Sequence, residues 1–314
     1  MEQQNLTSTV TEFVLLGLTQ NQQLKYFLFM VFFVVYVTTW LGNFTIIITV
    51  IADHQLHSPM YFLLANLTFN VNAPHLHSGL LFQHKPVSFE ECILQMFFFH
   101  FIGGAMVFFL VGMAIDRYVA IYKPLRYLII MNWAMCMGLV VLAWLGGLAH
   151  SAVQIGLLLQ LPFCGPNILD NFYCDVLQVI KLACTDTYLV ELQMVFSGGV
   201  LLIILFISLL ISYTIILVKI RTHVTEGKHK ALSTCGAQIL VVSLIFIPGI
   251  FIYAQPFKKF TLDKTASVFF TVISQMLNPM IYTLRNAEMK LAIKRMMSRM
   301  LLSWKKRRTL VIFE

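Results

Sequence analysis

The sequence predicts an all-α membrane protein, a seven-transmembrane helix bundle followed by a short amphipathic eighth helix. Three observations predict it. Of the 314 residues, 59% are hydrophobic and 11% charged, well under the roughly 25% charged residues of a soluble domain. Uncharged apolar runs of about 20 residues or more recur along the chain, and each suffices to cross a ~30 Å hydrocarbon core as a helix. The basic residues gather on alternate connections between those runs, as the positive-inside rule requires.

Taken in order, residues 1–25 read as a polar extracellular tail. They lack a basic n-region with an apolar core, so no cleavable signal peptide is expected and the first span serves as the insertion signal. Of three Asn-x-Ser/Thr sequons, Asn43 and Asn66 fall inside predicted spans, and Asn5 alone is placed for glycosylation. The first span is expected over 26–52. The second, over 59–82, begins well with Met60-Tyr61-Phe62-Leu63-Leu64 and then turns polar through Asn66, Thr68, Asn70, Asn72 and Pro74. Periodicity alone leaves it short or broken; topology requires it. Further spans are expected over 92–115, 133–160, 192–218, 231–257 and 265–284, so that residues 26–285 form the bundle and 286–314 a cytoplasmic tail. With the N-terminus outside, the cytoplasmic side holds 16 basic and 5 acidic residues (+11) and the exterior 6 basic and 9 acidic (−3), consistent with the net +8. Membrane topology thus accounts for the basic balance. No basic–aromatic stripe points to nucleic acid.

Topology also sorts the six cysteines. Cys92 begins the third span, and Cys164, Cys174 and Cys184 lie in the long loop after the fourth. Four cysteines facing an oxidising compartment predict two disulfides, with three possible pairings. A bridge from Cys92 to the loop pins it over the mouth of the bundle. Zinc is a poor alternative, because no histidines of the required spacing accompany the thiols. Cys136 and Cys235 fall near inner span ends.

The inner face carries the candidate switch. The third span ends Asp116-Arg117-Tyr118, followed by Lys123-Pro124-Leu125-Arg126-Tyr127. A charged pair at a span end is often an interfacial anchor. An arginine at the membrane edge can also pair with Asp116 in one helix arrangement and leave it in another, a two-state electrostatic lock. In the seventh span, Asn278-Pro279-Met280-Ile281-Tyr282 predicts a kink, since Pro279 removes a backbone donor and Asn278 can satisfy a freed group. Beyond it, Met289, Ile293, Met296, Met300 and Trp304 recur at three or four residues among Lys290, Lys294 and Arg295. That pattern predicts an amphipathic helix on the inner leaflet, with Lys305–Arg308 favouring anionic lipid.

These residues resemble the olfactory receptors, a branch of the rhodopsin-like G-protein-coupled receptors. The likeness runs from Thr11-Glu-Phe-Val-Leu-Leu-Gly-Leu-Thr19 through Leu56-His-Ser-Pro-Met-Tyr-Phe62, Met113–Tyr127, Phe172-Tyr-Cys-Asp175 and Ser212-Tyr213. It continues through Lys230-Ala-Leu-Ser-Thr-Cys235 to Pro279-Met-Ile-Tyr-Thr-Leu-Arg-Asn286. It implies bridges Cys92–Cys174 and Cys164–Cys184. It implies an activation switch of Asp116, Arg117, Tyr118, Tyr213, Asn278, Pro279 and Tyr282, with Lys230 beside the G-protein site. It further implies a receptor for small volatile odorants in the plasma membrane of sensory cilia, coupled to a heterotrimeric G protein of the stimulatory type. The chain departs from the family between Leu67 and Ala73, where it is about six residues short. Val71 stands in place of the usual acidic residue, Ile115 in place of Tyr, Tyr122 in place of Cys and Gln275 in place of Pro. Those departures define an alternative reading, a seven-helix protein that does not signal because its second helix is shortened.

Small apolar ligands need a semi-dry pocket with few polar groups. It is expected between spans three, five, six and seven. On span three, Phe99, His100, Gly103 and Gly104 share one face, and the glycines either leave room for a ligand or serve close helix packing. By the family resemblance, Ser197, Phe246, Gly249, Tyr253 and Thr271 complete the lining. No cofactor or metal is expected, and no nucleophile–base set or phosphate loop supports an enzyme. No inverted repeat supports a transporter.

Overall fold

In the computed structural model, the residues described are 10–19, 21–70, 85–164, 167–223, 228–253, 267–273, 276–277, 280–281 and 287–312. Helix α1 (Gln22–Ala52) starts at Asn21, whose side chain accepts the N–H groups of Gln23 and Leu24, satisfying two of the donors a helix start leaves open. Its buried residues Phe32, Thr39, Asn43, Ile46 and Val50 are spaced by three, four or seven and form one stripe. The opposite face exposes Phe27, Met30, Phe33, Val34 and Leu41. In water such a face would drive aggregation; in a bilayer it meets lipid. In that stripe Thr39 is satisfied within the helix, its Oγ1 donating to the Val35 carbonyl at 2.8 Å.

A short turn leads to α2 (Pro59–Asn70). The rest of the expected second span, through residue 82, lies outside the described residues. Helix α3 (Phe89–Tyr122) is capped by Ser88, which accepts the Glu91 N–H at 3.1 Å. Its 34 residues extend about 50 Å at 1.5 Å each, longer than the hydrocarbon core. It is the axis of the bundle, packed against α2, α4 (Trp133–Leu158) and the later helical stretch Leu201–His223. The α3–α4 seam is close because Gly104 and Gly147 face each other: a Cβ on Gly104 would lie 3.0 Å from the Gly147 Cα, and one on Gly147 would lie 2.7 Å from the Ala105 backbone nitrogen. Ser151 Oγ closes the seam by donating to the Phe97 carbonyl at 2.6 Å.

Helix α5 starts as Tyr188–Met194, passes through a π-helical segment at Val195–Val200, and continues as Leu201–His223. The wide turn falls on Phe-Ser-Gly-Gly, where the two glycines make the regular helix weak. Helix α6 (Lys228–Tyr253) packs against α5 and contains Pro248. The described part of the seventh span holds a second π-helical segment, Phe269–Ile273. A terminal helix, Ala287–Ile312, packs against α1 and the turn after it. Among the described residues, α1, α3, α4 and α5 are long and apolar enough to cross a membrane, and Gln238–Tyr253 of α6 is a shorter apolar helix.

One end of the bundle carries a folded cap. Strand β1 (Glu12–Leu15) is central in a three-stranded sheet, antiparallel to β2 (Lys85–Ser88) and parallel to β3 (Ile168–Leu169). The expectation of a plain polar tail over residues 1–25 misses this strand. Phe13 and Leu15 point down into a cluster with Val87, Met96, Leu158 and Val179, while Glu12 stays exposed. Disulfides Cys92–Cys174 and Cys164–Cys184 fasten the loop between α4 and α5 over this cluster. A separate, larger core lies below, around Phe109, Met113, Tyr213, Val241 and Phe246.

Candidate functional site

Beneath the cap, α3, α4, α5 and α6 enclose a cavity of about 250 Å³. Phe99, His100, Gly103, Gly104, Ser197 and Tyr253 line it, so six residues singled out in the sequence come together. The two glycines differ in role. A Cβ on Gly103 would meet nothing within 4 Å, which leaves it facing open space, whereas Gly104 is held by the α4 contact. Ser197 and its neighbour Gly198 sit in the π-helical segment of α5, and the extra residue in that turn directs them at α6, where a Gly198 Cβ would lie 3.1 Å from the Tyr253 ring.

Three expected members lie elsewhere. Phe246 is fully buried in the lower core, its ring stacked on Phe206 at 5.7 Å between centroids. Thr271 is buried and its hydroxyl donates to the Ser267 carbonyl at 2.7 Å, one turn back. Gly249 is buried in α6 away from the lining. The expected wall from span seven is therefore supplied, among the described residues, by α4, which contributes Gly146, His150 and Gln154. His150 and Gln154 are four residues apart and share a helix face. That spacing of two polar residues in an otherwise uncharged span was a usable sequence signal.

The polar members cluster at the cap end. The His100 and His150 rings lie 5.6 Å apart between centroids. Gln154 donates its amide N–H to Ser197 Oγ, and Gln193 donates to the same oxygen at 3.3 Å. Below them the wall is apolar, with Met106, Val107, Leu205 and Ile245. No Lys, Arg, Asp or Glu lines the cavity among the described residues.

At the other end of α3, Asp116 is fully buried. Its Oδ2 lies 3.6 Å from Arg117 Nε, beyond a hydrogen bond, and among the described residues neither atom has a hydrogen-bond partner. The carboxylate is held instead through Oδ1, which accepts the Tyr127 hydroxyl at 2.7 Å. The sequence suggested the Asp116–Arg117 pair but gave no sign of Tyr127, which comes within reach because Pro124–Arg126 forms a tight 3-10 turn. Tyr118 stacks on Tyr122 at 4.7 Å, and the Lys219 ammonium of α5 sits 4.2 Å over the Tyr122 ring, a cation–π contact. Tyr213 is buried in the lower core. Lys230 falls in the first turn of α6. Asn5, Asn278, Pro279 and Tyr282 lie outside the described residues. Among those described, no group of three or more metal-ligating side chains occurs.

Polar contacts fasten the terminal helix to this basic end. Tyr61 donates to Glu288 Oε2 at 2.7 Å, and Arg295 pairs with Asp53 at 2.8 Å. Burial pushes the Asp53 carboxyl up, but the Gln55 N–H and the Arg295 guanidinium outweigh it and hold the group below its ordinary 3.8.

The sequence that builds this cavity has relatives among known proteins. Residues 32–300 match the olfactory receptor family. The chain is 55% identical over 302 residues to olfactory receptor 4D1 of Homo sapiens, covering 94% of this chain and 97% of that protein. It is 51% identical over 296 residues to human olfactory receptor 4Q3 (92% and 95%) and 49% identical over 304 residues to human olfactory receptor 4N5 (95% and 98%). Matches of this extent, together with the membrane-crossing helices and the two bridges, make the chain a multi-pass membrane protein with a seven-transmembrane bundle and a member of the olfactory receptor family.

Proposed function

We propose that this chain is an odorant receptor that binds small, mostly apolar volatile ligands in the cavity beneath the cap and activates a heterotrimeric G protein of the stimulatory type, raising cyclic AMP. The cavity carries the reading: its wall is apolar, it holds a few polar groups at one end, and no charged side chain lines it among the described residues. In this reading the cap end, with residues 1–25, is extracellular, and residues 286–314 form a basic tail at the inner leaflet, with the terminal helix against lipid. The +11 charge on that side supports the orientation. Asp116, Arg117, Tyr118, Tyr213, Lys230, Asn278, Pro279 and Tyr282 form the switch and the coupling surface. Ligand stabilises an arrangement in which Arg117 leaves Asp116 and engages the G protein, which requires different ligand affinities in the two arrangements. Leu125, 97% exposed between Pro124 and Arg126, offers the apolar contact that a partner protein covers.

The test is cyclic AMP accumulation in cells exposed to mixed odorants, with the surface amount measured through an N-terminal tag. A response at normal surface amount that vanishes in Arg117→Ala supports the receptor. Surface protein silent to every odorant favours the alternative, a bundle that does not signal. The deficit of about six residues after Leu67 motivates that second reading. Restoring six residues after Phe69 then separates the two, since a response gained by insertion locates the defect in the second helix.

A further inference from the structure

The polar end of the cavity is not fully matched by the protein itself. Gln154 is 1% exposed and lines the cavity, yet its Oε1 has no hydrogen-bond partner among the described residues. Ser197 Oγ accepts two amide N–H groups, from Gln154 and Gln193, so both its lone pairs are used and its own proton is left to donate. His100 and His150 make ring contacts, and no hydrogen bond to either imidazole occurs among the described residues. Each neutral imidazole offers one donor and one acceptor. A buried polar atom without a partner is costly, and Gln154 Oε1 shares its space with the Ser197 hydroxyl and the two imidazoles, brought together from α3, α4 and α5.

We propose that the ligand is a small alcohol, whose single hydroxyl sits between Gln154 and Ser197 while its apolar body points down to Met106, Leu205 and Ile245. This rests on the cavity being the ligand site. A hydroxyl both donates and accepts, so it meets Gln154 Oε1 and the Ser197 proton together. An aldehyde, ketone or ether only accepts and leaves Gln154 Oε1 bare. A carboxylate or ammonium has no counter-charge among the described lining residues. The volume of about 250 Å³ admits about eight non-hydrogen atoms at the ~30 Å³ that one molecule occupies in liquid water. Sites built to hydrogen-bond a ligand hydroxyl discriminate strongly against analogues lacking it.

The experiment uses linear, branched and cyclic alcohols of six to eight carbons, each paired with its methyl ether and its aldehyde. Two readouts are taken: cyclic AMP in cells, and thermal stabilisation of the detergent-solubilised full chain. The expected result is at least one alcohol acting at tenfold or more lower concentration than its ether and aldehyde. That preference, read as the ratio of alcohol to ether potency within each variant, falls to about one in Gln154→Met and in Ser197→Ala. Ethers or aldehydes equal to their alcohols overturn the proposal, as does a preference that survives both variants, or stabilisation by no alcohol of the set. Alcohol-selective stabilisation without cyclic AMP upholds the hydroxyl site and removes the signalling reading. Odorant-driven cyclic AMP without alcohol preference does the reverse.

Discussion

The two ends of the bundle are fastened by different chemistry. At the cap end, two disulfides and a three-stranded sheet hold the loop between α4 and α5 over the cavity. At the basic end, the fastenings are an ion pair between Arg295 and Asp53, tyrosine hydroxyls on Asp116 and Glu288, and a lysine over a ring. Covalent links fix one geometry, whereas hydrogen bonds and ion pairs exchange partners at a cost of about 1–3 kcal/mol each. The difference fits the roles proposed above for the two ends. A recognition site gains from being preorganised, and a switch needs two arrangements of nearly equal free energy.

Breaking the cap should have the largest effect. Cys92→Ser opens the link from α3 to Cys174, and such a bridge contributes about 2–4 kcal/mol. Tagged receptor at the cell surface should fall severalfold, and surface labelling measures it; an unchanged amount would mean that the sheet and the Cys164–Cys184 bridge hold the cap without this link. Tyr127→Phe comes next. Removing the only hydroxyl seen on Asp116 Oδ1 among the described residues costs about 1.5–3 kcal/mol in this arrangement, as for a hydrogen bond to a charged group. Basal cyclic AMP should therefore rise about tenfold at equal surface amount. A basal level like wild type would show that the hydroxyl serves both arrangements alike. The smallest effect is expected of Arg295→Gln, a partly exposed pair for which a twofold change in maximal response is the scale. Its pH dependence follows from sign. Asp53 is held below its ordinary 3.8, so the pair is complete above that value and is lost only as the pH falls through the lowered folded value. Titrating isolated membranes from pH 8 to 5 should leave the docking of the terminal helix unchanged, as read by a fluorophore on that helix.

The membrane spans were legible because a ~30 Å core imposes length and composition on any helix that crosses it. Which way each helix faces was much less so. In water, apolar residues mark the buried face; in a bilayer, both the lipid face and the core face are apolar, and the periodic signal fades. Phe246 and Thr271 were assigned to the cavity by resemblance and lie instead in the lower core and against their own helix. His150 and Gln154 escaped notice, although their spacing on an uncharged helix made them visible. The strand β1 was beyond reach, because four residues carry too little alternation to identify and its neighbours come from distant segments. Tyr127 met Asp116 through the geometry of a three-residue turn that no periodicity encodes.

The arrangement of the small sheet sets a timetable for biosynthesis. Strand β1 pairs through Val14 with Ile168 and through Phe13 with Val87, and it is made before both neighbours. Four helices must be threaded into the bilayer before β3 emerges. Until then Phe13 and Leu15, buried in the finished protein, have no place to go and stay uncovered. Pairing across such sequence separations is slow. The cap therefore closes late in the life of the nascent chain, and until it does two large apolar side chains of its first strand wait without cover.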